Sequence, residues 1–191
     1  MLERKLVVPP GYDLAANPRV ASFAAQLDDQ LRRLRQDVAE FEVRHLEWQP
    51  QAGVNTVGML LAHLAVVDVW WLHIAPRQIP EADHDRVFRE LIGIGGDDDG
   101  LPLAQDGRHP ATLAGRSLDA YWQMIDGGRE AAHNTLRAWK DGELAGTYPL
   151  RDRIISREWT VYHVLEHFAA HYGQVLLLKH LMRDAGLLPR A

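Results

Sequence analysis

The sequence predicts an all-α protein, a four-helix bundle with a long insertion between its second and third helices. Three observations predict it. Apolar residues recur at spacings of three and four along long stretches, as they do on helices that bury one stripe. Proline and glycine separate those stretches, and the widest gap, about residues 76–116, is poor in apolar residues. The chain has 191 residues, 47% of them apolar, enough for one domain with a sizeable core across residues 1–191.

Residues 1–18 read as an extended arm, because Pro9-Pro10-Gly11 and Asn17-Pro18 break any helix there. From Val20 the residues Phe23, Leu27, Leu31, Leu34 and Val38 mark an amphipathic helix running to about Val43. Pro50 and Gly53 interrupt the chain, and Asn55 or Thr56 can cap the next helix. That second helix spans about Val57 to Ile74 and is expected to end at Pro76. It is apolar nearly all round, which suits a helix buried on several sides or one shared between a core and a subunit interface. His63 and Asp68 are its polar exceptions. Within the insertion, Asp85–Ile92 suits a short helix. Asp97-Asp98-Asp99-Gly100 reads as a solvated acidic turn, since a calcium loop starting at Asp97 would need Gly and Glu where Pro102 and Arg108 stand. Ser117 caps a third helix to about Trp139, with a kink expected at Gly127-Gly128. Tyr148–Ile155 is extended, a short strand or hairpin arm. Ser156 caps the last helix, which Gly186 and Pro189 end.

Composition narrows the function. Acidic residues outnumber basic ones, 26 to 21, which argues against a nucleic-acid partner. The apolar run Val57–Leu72 is too short to span a bilayer and carries His63 and Asp68, so no membrane role is expected. No apolar signal core follows Arg4-Lys5, and a cytoplasmic location is expected. The absence of cysteine excludes disulfides, thiolate ligands and an internal sulfur nucleophile. Any metal must then be held by His, Asp, Glu, water or substrate.

Ten histidines remain to be explained. His167 and His171 lie four apart on the last helix, so one turn stacks both imidazoles on one face. His63 sits on the other apolar helix and needs a partner of its own. One shared metal explains both, with His63, His167 and His171 as ligands and an open position for water or substrate. Such a site suits zinc, nickel or ferrous iron. His163-Val164-Leu165-Glu166-His167 also matches H-x-x-E-H, an inverted zinc-protease pattern with His163 and His167 as ligands and Glu166 activating water. His163 reads better as a neighbour of the site and Glu166 as a solvated charge. Asp68 suits either an orienting partner of a ligand or a core salt bridge. His45, His73, His84, His109, His133 and His180 read as surface residues. Trp70 or Trp71 could line a pocket.

The stretches Asn55-Thr56-Val57-Gly58-Met59-Leu60-Leu61-Ala62-His63-Leu64-Ala65 and His167-Phe168-Ala169-Ala170-His171-Tyr172-Gly173-Gln174-Val175 carry a resemblance. With Trp48-Gln49-Pro50 and Gly53 ahead of them, they resemble the DinB/YfiT-like superfamily of metalloenzymes from about Val20 to Gly186. Tyr172 stands where many members carry Arg. The resemblance implies a bundle, a His63, His167, His171 metal site and often a homodimer, which the apolar second helix would also suit. It further implies metal-dependent transfers or isomerisations that use a low-molecular-weight thiol as cosubstrate. The expected function is therefore a divalent-metal-dependent enzyme acting on a small molecule, a thiol-dependent S-transferase. A metal-dependent hydrolase and a non-enzymatic metal-binding stress protein are the alternatives.

Overall fold

The computed structural model describes residues 5–96 and 107–189. The acidic turn at Asp97–Gly100 lies outside the described residues. The architecture is mostly helical. Its long helices are α1 (Pro18–Asp37), α3 (Val57–Val69), α6 (Leu118–Ala138) and α7 (Arg157–Asp184); α2 (Val43–Leu46), α4 (Ala75–Arg77) and α5 (His84–Ile92) are short. A hairpin of β1 (Thr147–Leu150) and β2 (Arg153–Ser156) precedes α7.

Helix α3 lies at the centre, packed against α5, α6 and α7, while α1 packs on α6 and α7. Its residues from Val57 to Val69 are all buried apart from half-buried His63. Its apolar circumference is thus used up within its own chain, which is the physical reason for that composition. The Val57–Arg77 segment is long and apolar enough to cross a membrane, yet most of it is buried inside the protein.

Local chemistry sets the ends. Thr56 Oγ1 accepts from the Met59 amide at 3.0 Å, and Ser156 Oγ from Trp159 at 3.1 Å. Helix α1 takes a distant cap: the Asp141 carboxylate accepts from the amides of Arg19 and Val20 at 2.9 and 3.0 Å. It stops at Asp37, six residues before the expected Val43. Val38 and Phe41 extend the apolar spacing, but they pack into the core from a turn. His45, expected at the surface, is 2% exposed and fixes that turn. Its Nδ1 accepts from the Glu42 amide at 2.9 Å and its Nε2–H donates to the Leu187 carbonyl at 3.2 Å.

Pro76 does not end the second helix. A wider π turn, Trp70–Ile74, follows α3 directly, and the helix runs on to Arg77. Proline has no N–H for the carbonyl one α-turn earlier, and the wider turn accommodates that gap. The extended stretch expected at Tyr148–Ile155 forms the hairpin, which adds a small two-stranded sheet to the otherwise helical fold; in it Thr147 pairs with Ser156 and Leu150 with Arg153. The pairing puts Tyr148 beside Ile155 on a face that packs on Ala75, and the Tyr148 hydroxyl donates to Thr160 Oγ1 at 2.5 Å.

Helix α6 runs without a break through Gly127-Gly128. The pair serves close approach instead: a Cβ on Gly127 would lie 2.0 Å from the Leu91 carbonyl oxygen, and one on Gly128 2.9 Å from that of Ala65. Both obstacles are backbone, so neither can swing aside. Gly127→Ala is expected to cost about 2 kcal/mol or more despite the better helix propensity of alanine. Chemical denaturation checks this, and an unchanged midpoint would show that α5 can move away.

Candidate metal centre

Helices α3 and α7 cross so that His63 meets His167 and His171. Spacing within α7 puts the latter two on one face, and the burial of α3 turns His63 inward. His63 Nε2 lies 3.1 Å from His167 Nε2, and His171 Nε2 lies 3.2 Å from the same atom. One ligand atom from each ring falls within 4.8 Å of the others, and all three residues are half-buried. The sequence named this trio, and the structure brings it together.

Proton bookkeeping shows why the trio suits a cation. His171 Nδ1–H donates to Gln174 Oε1 at 2.8 Å, which leaves its Nε2 as a bare lone pair facing His167. A neutral His167 holds one proton. On Nε2 it can point at only one neighbouring ring; on Nδ1 it has no acceptor, because that atom is buried without a partner. Either way at least one of the two close N···N contacts is left without a hydrogen bond. A divalent cation satisfies all three rings, and tetrahedral Zn–N bonds of about 2.05 Å would set the nitrogens roughly 3.3 Å apart. The donor set therefore fits zinc, nickel or ferrous iron.

Burial, then the neighbouring imidazoles, push His167 down to about 3. Burial also lowers His171, against the Gln174 hydrogen bond. The His167 and His171 rings are thus held neutral, as ligands must be. The sign follows: below the ordinary histidine value of about 6.5 the unfolded chain binds protons that the fold refuses. In metal-free protein this stability is complete above about pH 6.5 and declines as pH falls towards 3. The expected loss, discounted for partial exposure, is on the order of 1 kcal/mol by pH 5. Denaturation midpoints against pH check it, and His167→Gln should flatten that limb.

The remaining histidines sort themselves. His163 stands outside the trio, its ring centroid 5.8 Å from that of His167. Trp159 stacks on it at 4.8 Å, Trp71 meets it edge-on at 4.6 Å, and its Nδ1 bonds Glu166 at 3.1 Å. Glu166 is exposed, and its carboxyl is held below the usual range by that bond and one from Tyr162. The inverted zinc-protease pairing is not formed. Asp68 turns away from His63 and accepts from Arg129 Nε at 2.8 Å, so it forms the core salt bridge. Tyr172 is buried and donates to Asp37 across to α1, away from the trio. His133, expected at the surface, is 5% exposed; Nε2–H donates to Asp28 at 3.0 Å and Nδ1 accepts from the Tyr12 hydroxyl at 2.6 Å.

A cleft of about 530 Å³ opens on His63, walled by Trp70, Trp71, His84, Phe88 and Arg151. The π turn sets the two indoles at its mouth, and such turns recur at functional sites. His84 was missed by sequence reasoning. It stands edge-on to Trp70 at 5.1 Å, and its Nε2–H donates to the Ile79 carbonyl at 2.8 Å, which leaves Nδ1 as an open acceptor. No periodicity in its irregular stretch could have signalled it. Gln174 lies in the stretch that carries the resemblance and stands i, i+3 from His171, but was not read as its partner.

The model of the DinB superfamily matches residues 26–175. A solved structure of a conserved protein from Enterococcus faecalis is similar over 87% of this chain and 98% of its own, with 14% identity and a TM-score of 0.66. A DinB-like protein from Bacillus cereus covers 87% of this chain and 95% of its own at 18% identity and a TM-score of 0.49. None of the curated proteins matches the sequence. The likeness to the first of these, at 14% identity, speaks for the fold alone, but the family match takes in most of the chain and all three clustered histidines. The chain belongs to the DinB superfamily.

Proposed function

We propose that this chain is a divalent-metal-dependent enzyme that transfers a small thiol to an electrophilic molecule, with His63, His167 and His171 as the metal ligands. Convergence of their three Nε2 atoms carries the reading, in a superfamily whose members often bind metal. A cation held there supplies Lewis acidity, which lowers the pKa of a thiol or water brought to it. The chain has no cysteine, so the sulfur nucleophile must come from solution. Gln174 fixes the tautomer and orientation of His171. Trp70, Trp71 and Phe88 offer an apolar wall that seats an electrophile beside His63 and excludes water. His84, held through its Nε2–H, presents the acceptor nitrogen that can take up a proton released in the cleft.

The same reading takes the four long helices as one four-helix bundle and one domain, with residues 76–116 as its insertion. It places the protein in the cytoplasm as a homodimer, for which light scattering at micromolar concentration is the check. Elemental analysis of untagged protein beside His63→Ala and His171→Ala comes first. Stoichiometric zinc, nickel or iron in the parent and none in either variant is the expected outcome. Loss of 1-chloro-2,4-dinitrobenzene should then need both metal and added thiol. Ester cleavage that needs metal but no thiol would make the protein a hydrolase instead. No metal after reconstitution, and no activity, would leave a binding role.

A further inference from the structure

We infer that the cleft above His63 takes a flat, apolar ligand ending in a single negative charge, an aromatic or conjugated carboxylate, and that Arg151 holds that charge. The inference rests on reading this cleft as the substrate site. Arg151 and Asp152 form the two-residue loop between Leu150 and Arg153 at the tip of the hairpin. Arg151 has φ +54, a left-handed backbone where glycine, asparagine or aspartate is the ordinary occupant. Only one other non-glycine residue among those described shares that region, Gln78 at φ +52. Gln78 has a structural use: its amide donates to Ala75 at 2.6 Å and to Pro149 at 3.1 Å, tying the hairpin to the end of α4. Arg151 makes no hydrogen bond or ion pair among the described residues, whereas Arg19, Arg35, Arg129 and Arg157 all do. A strained position that keeps an unpaired guanidinium points to use elsewhere.

Placement says where. Arg151 lines the His63 cleft and also an adjoining cleft of about 400 Å³, and Trp70 and Trp71 line both. Two indoles therefore run between the metal centre and a free guanidinium. Indole faces suit a planar apolar body, and a guanidinium suits a carboxylate held by two hydrogen bonds. Glu81 and Asp85 border the same cleft, and Arg89 already pairs with Asp85 at 2.9 Å. Their charge disfavours a second anionic group, so polyphosphates and dicarboxylates are excluded.

The test uses 2-naphthoate and the neutral 2-naphthylmethanol as probes, followed by quenching of tryptophan fluorescence and by calorimetry. Both are run on metal-free protein, so that no carboxylate can bind a metal instead. Arg151→Gln should weaken naphthoate at least tenfold and leave the alcohol within twofold, with Arg151→Lys between parent and Gln. Glu81→Gln should strengthen 2,6-naphthalenedicarboxylate at least threefold. Equal weakening of both probes, or no effect of Arg151→Gln, overturns the inference, as does failure of any naphthyl probe to bind at millimolar concentration. Zinc binding by the same proteins, measured separately after reconstitution, separates the two readings. Arg151-dependent naphthoate binding without any zinc binding would sink the metalloenzyme proposal alone. Stoichiometric zinc with probe binding indifferent to Arg151 would sink this inference alone.

Discussion

Replacing any one of His63, His167 or His171 by alanine is expected to abolish stoichiometric metal binding while the fold persists. Loss of a residue that merely orients a ligand costs metal sites about 10–100-fold in affinity, which is the expectation for Gln174→Ala. Loss of a ligand itself should exceed about 100-fold. Stability gives a second readout. Metal at a hundred times its Kd adds about 2.7 kcal/mol to a fold that alone binds it. In a chain of this size that corresponds to a rise in Tm of roughly 5–10 °C. The parent should show the rise and the three variants should not. Metal-free parent and variants should lie within about 1 kcal/mol of one another. The cluster is half-buried, and His167 carries a buried Nδ1 without a partner, so truncation there removes an unfavourable arrangement along with some packing. A variant that unfolds without metal would instead assign the trio to the core.

Much of this site was legible because its signals are local. The i, i+4 pair on α7 fixes a shared face, and a lone His63 on an apolar helix asks for a partner. The four long helices follow from spacing in the same way. Several of the failures share one cause, contacts between residues far apart in sequence. The partner of Asp68 is Arg129, 61 positions away, and nothing near either residue announces the other. His133 looks polar in its own helix, yet it lies between Tyr12, 121 positions away, and Asp28, 105 away. The same holds for His45, whose second bond reaches Leu187. Helix α1 ends early because Val38 and Phe41 satisfy a helical period from within a turn. The cleft was hidden for another reason: a π turn, a hairpin tip and the start of a short helix assemble it, and none has a repeating pattern.

The largest stability effect is expected at the Asp68–Arg129 pair, which joins α3 to α6. Both side chains are almost wholly buried, 2% and 5% exposed, and they meet through one bond of 2.8 Å. Burial pushes the Asp68 carboxyl up, and Arg129 opposes it. Asp68 Oδ1 and Arg129 Nη2 have no partner, so the pair is only partly compensated. Asp68→Ala strands a buried guanidinium, which typically costs 3–5 kcal/mol. Asp28, 3.4 Å from the same group, should hold the loss near 3 kcal/mol. Replacing both partners, Asp68→Leu with Arg129→Met, removes both charges while filling the space. That double variant should lie near the parent or above it, since apolar replacements of buried pairs are often neutral or stabilising by about 1–4 kcal/mol. A cycle completed with Asp68→Leu and Arg129→Met as single variants should therefore show strong coupling by chemical denaturation. Metal affinity extends the test to the site. Arg129 sits 5.5 Å from the centre of the Phe168 ring, and Phe168 follows the proposed ligand His167 in α7. If the pair positions α7 through that contact, Asp68→Ala should weaken metal binding and the well-packed double variant should restore it. Equal metal affinity in the parent, Asp68→Ala and the double variant would confine the pair to stability and leave the crossing of α3 and α7 to their apolar packing alone.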